Sequence, residues 1–134
     1  MANPVVTQYS SHPLALRDNK YEDVTLTAPG AVTYEPGRVL AFDASAGKWK
    51  ITESGTAAVA NAKAVLIEEA EFTGAGDRLS RVMIKGEVDE NQLIFDGSDT
   101  PDTIPAGASD SFRTQLRAYG IILRSPAELT KEDT

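Results

Sequence analysis

The fold is decided by the stretch Val82-Met83-Ile84-Lys85-Gly86-Glu87-Val88. Its even-numbered positions are apolar or glycine. Charges occupy odd-numbered positions, at Lys85, at Glu87 and at Arg81, which directly precedes the stretch. A period of two residues predicts a half-buried β-strand, with one face on a core and the other in water. Gly86 falls on the inward face, which indicates that another backbone comes close there. One strand is not stable alone, so the rest of the chain must supply its sheet partners.

Further strands are predicted wherever apolar or alternating runs stand between turn residues. These runs are Val24–Thr27, Arg38–Phe42, Lys48–Ile51, Lys63–Ile67, Leu93–Phe95 and Ile121–Leu123. Pro36-Gly37 has the residue order of a type II turn before the second run. Because a short loop joins the second and third runs, those two are predicted to form a hairpin.

One helix is predicted between residues 109 and 120. Ser109 or Asp110 can cap its N-terminus, and Gly120 supplies its C-terminal end. Its apolar face consists of Phe112, Leu116 and Tyr119, which recur at helical spacing. After the last strand, Ser125-Pro126-Ala127-Glu128 has the form of a capping box with proline at the first helical position, which predicts a turn or short helix in residues 125–134.

Residues 1–23 have neither helical nor strand periodicity, so they are separated from a β-rich domain at 24–124 and from the C-terminal segment at 125–134. Two interpretations stay open for this first segment: a frayed terminus, or an arm that orders on a partner. The arm interpretation rests on the β-branched content needed to add a strand to a foreign sheet edge. The residues concerned are Pro4, Val5, Val6, Thr7, Gln8 and Tyr9.

Length and composition narrow the functional classes. A chain of 134 residues predicts one domain, and the absence of cysteine excludes disulfides and thiolate metal sites. The formal net charge is −7 and the basic residues are scattered along the sequence, which argues against nucleic acid as a partner. No run has the length of a membrane span, and Met1-Ala2-Asn3-Pro4 does not have the features of a secretory signal.

The sequence offers little for catalysis, so no enzyme, cofactor or metal site is expected. His12, the one histidine, lies in residues 1–23, which have neither helical nor strand periodicity. A catalytic base must be held rigidly, so His12 is a poor candidate. The acidic runs Glu68–Glu71 and Asp96–Asp102 do not have the ligand spacing of a calcium loop and are interpreted as a solvated face and Asx turns. Trp49, the one tryptophan, is expected in the core or at a subunit interface.

The order of these segments resembles the head decoration proteins of tailed bacteriophages, of which the lambda-type protein is the best known. The resemblance covers about residues 30–124 and rests on Pro36–Phe42, Lys48-Trp49, Ala64–Ile67, the Val82–Val88 strand, and the helix followed by Tyr119–Leu123. Two departures are Val65-Leu66-Ile67, where the family has Val-Gly-Ile, and the composition of residues 96–107.

The resemblance implies a mainly β fold, a small β-barrel or β-clip-like domain with one or two short helices and a flexible N-terminal arm. It implies a homotrimer that binds the major capsid protein on the outside of the expanded head, in the virion, after synthesis in the host cytoplasm. Trp49 is then a candidate for the trimer interface. The alternative is a soluble β-clip-like module that binds a ligand such as a sugar, and a converging aromatic and polar pocket would favour it.

Overall fold

A computed structural model of the chain describes residues 14–16 and 19–125. Eight strands and one α-helix are present in this part of the chain: β1 Lys20–Ala28, β2 Val32–Tyr34, β3 Val39–Asp43, β4 Lys48–Ile51, β5 Ala62–Leu66, β6 Ala70–Phe72, β7 Gly76–Asp89, α1 Phe112–Ala118 and β8 Ile121–Arg124. Short 3-10 turns occupy Ala57–Val59 and Glu90–Gln92. With 45% strand and 12% helical residues, the mainly β class is confirmed.

Five strands close into a barrel, because β7 pairs with β1 as well as with β5. The order around the barrel is β1–β4–β3–β5–β7, and every neighbouring pair is antiparallel except β1 and β4. Outside the barrel, β8 runs parallel to the last residues of β7, and β2 and β6 form a separate two-stranded sheet. The predicted small barrel and the predicted β3–β4 hairpin are both confirmed.

The opening stretch lies in β7, the longest strand of the described chain, but the prediction of one buried face is wrong at Met83. Val82 and Met83 are both fully buried, on opposite faces of the strand. A bulge then changes the alternation, since Met83 pairs with Tyr21 while Lys85 pairs with Lys20, which leaves Ile84 as the extra residue. One extra residue turns the following side chains to the other face, so Val88 lies on the same side as Met83.

These two faces bury two cores. The barrel core is formed inside the closed sheet, and Leu26, Leu40, Leu66 and Val82 are fully buried in it. The outer core lies between the barrel and the elements packed on its outside, α1 and β8. Its fully buried side chains include Val65, Met83, Phe112, Leu116 and Ile121. A chain of this length can bury both faces of β7 only because the helix covers the second one.

The helix begins one or two residues later than predicted. Its N-cap is Ser111, whose hydroxyl oxygen accepts from Thr114 N at 3.3 Å, and neither Ser109 nor Asp110 caps it. Ser111 has the extended backbone of an N-cap and its side chain reaches the free amide of the first turn. Gly120 ends the helix region with φ +92°, as predicted.

Leu93–Phe95 is not a regular strand, which corrects the prediction. Ile94 makes a single isolated parallel bridge with Arg38. Its two neighbours turn inward and pack on the outer core, where the rings of Phe95 and Phe112 stack at 5.3 Å. Side-chain burial against the helix therefore explains the apolar pattern that suggested a strand.

The β-rich domain begins before residue 24. β1 starts at Lys20, and residues 14–16 already pair with β7. Residues 20–23 are polar and exposed, so their sequence has no burial pattern to mark a strand. Their order comes from backbone pairing with β7 and from the ion pair between Asp23 and Arg81, whose Oδ1 and Nη1 are 3.4 Å apart. The predicted C-terminal turn falls on residues 126–134, outside the described residues.

Candidate functional site

Residues 14–16, the described end of the N-terminal segment, lie beside the C-terminal end of β7 and are called the root of this segment below. Leu16 N donates to Glu87 O at 2.8 Å, and Asp89 N donates to Leu14 O at 3.0 Å. Leu14 and Ala15 also pack against the outer core. The segment before residue 14 is therefore attached at this end of the barrel. The predicted arm residues Pro4, Val5, Val6, Thr7, Gln8 and Tyr9 lie outside the described residues.

Trp49 lies in β4 and is half-buried. Its ring packs against the barrel core, and its centroid is 5.5 Å from that of Phe42 in an edge-to-face arrangement. Edge-to-face pairs of this kind are favourable beyond the area that they bury. Packing within one chain accounts for the buried part of the indole, and contact of its exposed part with a second copy stays a prediction.

Beyond the Phe42–Trp49 pair, the ammonium group of Lys63 lies between the rings of Phe42 and Tyr119. The Lys63 Nζ lies 5.8 Å from the centre of the Phe42 ring and 5.3 Å from the centre of the Tyr119 ring. Both distances are within the range of cation–π attraction. Tyr119 was predicted on the buried face of the helix, but it follows the last helical residue and is 44% exposed. Trp49, Phe42, Lys63 and Tyr119 are called the aromatic–cationic strip below.

The charged residues of the opening stretch have three different surroundings. Arg81 is exposed and forms the ion pair with Asp23, and Lys85 is exposed beside Gly120. Glu87 is half-buried, and its Oε1 is 3.2 Å from Nε of Arg124 in β8. Arg81 and Lys85 are therefore exposed in the single chain, whereas Glu87 joins two strands.

Three lysines that are far apart in sequence lie on neighbouring strands toward one end of the barrel, which the sequence did not reveal. Lys20 and Lys85 are direct cross-strand partners in β1 and β7. Lys63 lies in β5, two residues from Val65, which pairs with Met83 two residues from Lys85. We call Lys20, Lys63 and Lys85 the lysine row. The expectation of scattered basic residues was correct for the sequence, but strand pairing is what brings these three together.

Two adjoining cavities open near the β1–β2 connection, with volumes of about 350 and 470 Å³. They share Pro29, Tyr34 and Ile51. Among the described residues that line them, Tyr34 is the one aromatic side chain, and burial raises its pKa. Sugar sites need rings that present a flat face to the ligand, and a single buried tyrosine gives the sugar-binding alternative little support.

The polar wall of the smaller cavity is already paired internally. Lys50 Nζ lies 2.8 Å from Asp43 Oδ2, and this hydrogen bond holds the pKa of the Asp43 carboxyl below its usual value. Asp43 Oδ1 also accepts from the backbone nitrogens of the following turn, at 3.0 Å from Ser45 and 3.4 Å from Ala46. These bonds fix the β3–β4 turn, which is a structural role.

The acidic loop Asp96–Asp102 directs its carboxylates to separate protein partners. Asp99 accepts from the backbone nitrogen of Ser54 at 3.2 Å and from its hydroxyl at 2.7 Å. Asp102 Oδ1 is 3.0 Å from Nε of Arg113, which lowers the pKa of Asp102. Among the residues that the structure describes, no group of three His, Cys, Asp or Glu side chains is placed to hold a metal ion.

Comparison with known proteins identifies no relative: no protein-family model, curated protein or solved structure matches this chain. In the described part of the chain, no helix has the length and apolar character needed to cross a membrane. His12, the histidine considered above, lies outside the described residues. The features that can indicate function are therefore the barrel, the root of the N-terminal segment and the charged surface around it.

Proposed function

We propose that this chain is a structural virion protein that binds the outer surface of an expanded phage head and stabilises it against packaged DNA. It acts as a homotrimer at three-fold and quasi-three-fold positions, where its partner is the major capsid protein. No catalysis, cofactor, nucleic acid or membrane is part of this proposal. Its place is the outside of the virion, after synthesis in the host cytoplasm.

One observation carries the proposal: the described start of the chain pairs with the end of β7 through an isolated antiparallel bridge. Residues 14–16 pair antiparallel with the end of β7, so the segment before them begins beside this strand. A segment with the β-branched content of Pro4–Tyr9 can continue this mode of binding on a capsid sheet. A small barrel with one short helix is also the domain that the resemblance implies.

Trimerisation raises the binding affinity that such an arm can provide. An arm of about six residues makes few contacts, and ordering it costs conformational entropy. Three arms on one trimer convert the second and third contacts into intramolecular events, which raises the overall affinity by orders of magnitude. Weak single contacts can therefore hold the protein on the head at three-fold positions.

Deletion of residues 2–12 tests the proposal, because the pairing of residues 14–16 with β7 stays in place. We expect a folded trimer by light scattering that no longer sediments with expanded, DNA-filled heads. The full-length chain and a chain with residues 2–12 in scrambled order serve as controls. Full-affinity head binding by the deleted chain would show that the arm hypothesis is wrong, and failure of the full-length chain to bind heads would reject the proposed function.

A further inference from the structure

The lysine row concentrates positive charge on an acidic protein. Lys20 and Lys85 are exposed, and no carboxylate of the described residues forms an ion pair with any lysine of the row. Lys48 and Lys50, by contrast, each lie 2.8 Å from an aspartate oxygen. Like charges placed directly opposite each other on neighbouring strands are destabilising. The row therefore costs the isolated domain free energy that an anionic partner would recover.

Aromatic groups adjoin this charge. The aromatic–cationic strip holds the Lys63 ammonium between two rings, and Tyr119 is substantially exposed beside it. Arg117, in the last turn of α1, adds a further exposed cation two residues before Tyr119. Exposed aromatic side chains next to cations are typical of protein–protein interfaces rather than of plain solvent surface.

The row lies at the same end of the barrel as the root of the N-terminal segment. Ala15 pairs with Val88, which is three residues beyond Lys85 in β7. Several exposed glutamates gather away from it, around the two-stranded β2–β6 sheet: Glu35, Glu68, Glu69 and Glu71. Lys63 is the second residue of β5 and Glu68 lies two residues after its end, and five residues of extended chain span roughly 16 Å. The lysine row and the root thus lie toward one end of the barrel, called the basic end below after these lysines, and this group of glutamates lies toward the other end.

We infer that the lysine row binds an acidic segment of the major capsid protein, and that the basic end of the barrel faces the head. The inference rests on the proposed function, and it names the chemistry of the partner surface and the orientation of the domain. A protein segment fits better than nucleic acid, because the cations are few and rings lie among them, whereas a net charge of −7 repels a long polyanion.

The triple variant Lys20→Gln, Lys63→Gln and Lys85→Gln tests the inference in the full-length chain. Glutamine keeps most of the aliphatic stem and removes the charge. We expect head affinity, measured by co-sedimentation over a range of NaCl concentrations, to fall about tenfold or more. The dependence of log affinity on log salt concentration should become shallower, because fewer ionic contacts form. Urea unfolding checks that the variant is folded.

A matched variant separates the local contact from the change in net charge. Adding Glu68→Gln, Glu69→Gln and Glu71→Gln to the triple variant restores the net charge of the natural sequence while leaving the lysine row neutral. We expect head binding to stay weak in this combined variant. Recovery of full affinity would show that net charge alone matters, and it would overturn the inference.

Three further outcomes distinguish this inference from the proposed function. If the natural sequence binds heads and the triple variant binds them equally well at every salt concentration, the inference is wrong and the proposed function stands. If the triple variant loses its trimeric state in sedimentation velocity, the row lies between copies, which also overturns a capsid contact. If the natural sequence does not bind heads at all, both the proposed function and the inference fail.

Discussion

Gly37 occupies a position where two independent constraints exclude a side chain. Its φ is +103°, in the region that L-residues with a Cβ rarely adopt. A Cβ at this position would lie 2.1 Å from the carbonyl oxygen of Gln92. The turn before β3 and the 3-10 turn after β7 therefore touch through this residue.

Replacing Gly37 with alanine should lower the free energy of unfolding by about 3 kcal/mol or more, since backbone strain adds to a clash with a carbonyl that cannot move alone. Gly47→Ala is the matched control, because Gly47 has φ +68° with nothing near its Cβ position. The control should lose only about 1 kcal/mol in urea unfolding. Equal losses in the two variants would mean that the contact with Gln92 contributes nothing.

Asp43 makes stability depend on pH with a defined sign. Its native pKa is lowered by the Lys50 hydrogen bond, so below the unfolded pKa the unfolded chain binds more protons than the native one. The contribution of Asp43 is therefore present above the unfolded pKa of about 4 and is lost as pH falls through the lowered native pKa. Asp77 and Asp102, whose pKa values are lowered by Lys48 and Arg113, act in the same direction.

Asp43→Asn should flatten this acid dependence. The free energy of unfolding, measured by urea titration at pH 6 and pH 3, should differ less between the two pH values in the variant than in the natural sequence. Glu69→Gln is a suitable control, since its exposed carboxylate has no ion-pair partner among the described residues. An unchanged pH dependence in Asp43→Asn would contradict this role of the Asp43–Lys50 pair.

At the scale of elements, a single polar side chain ties the helix to the barrel. Gln115 is buried, its Oε1 accepts from Ala62 N at 2.8 Å, and its Nε2 donates to Ala60 O at 3.1 Å. The amide thus satisfies the backbone at the start of β5, where the bulge that places Lys63 between Ala62 and Ala64 interrupts the ladder with β3.

Gln115→Ala should reduce the free energy of unfolding by about 2–4 kcal/mol, because it leaves a buried donor and acceptor unpaired and opens a cavity. Thr114→Ala, at an exposed position of the same helix, should cost only a few tenths of a kcal/mol. Thermal and urea unfolding can compare them. Equal free energies of unfolding for Gln115→Ala and Thr114→Ala would contradict this role of Gln115, because water would then replace its amide with no loss of stability.

Most strands and the helix could be predicted from sequence, because burial imposes periodicity on Arg38–Phe42, Lys63–Ile67 and the opening stretch. Features that depend on how distant segments pair or pack could not be predicted from the sequence. The bulge at Ile84 changes the face of the following residues, and nothing local marks it. Leu93 and Phe95 are apolar because the helix covers them, which a short run cannot distinguish from a strand.

At the scale of the whole molecule, strand register creates the candidate surface. The sequence identified Trp49 and the N-terminal segment as places to look, but it could not show that Lys20, Lys63 and Lys85 share one end of a barrel. Their separation in sequence is large, and their shared location follows only from the pairing of β7 with both β1 and β5. A surface cluster of this kind depends on which strands pair. Buried residues, in contrast, can be predicted from the local apolar pattern of the sequence.

The same topology sets the boundary between arm and domain, and two truncations can locate it. A chain that begins at Asn19 loses the backbone hydrogen bonds of Leu14 and Leu16 with β7 and the packing of Leu14 and Ala15 on the outer core. Its free energy of unfolding should be about 1–3 kcal/mol lower than that of the chain lacking residues 2–12. Hydrogen exchange at the Asp89 amide, which donates to Leu14, should be faster in the shorter chain. Equal stability and equal exchange in the two truncations would place residues 14–16 in the arm, and the domain would then begin at β1.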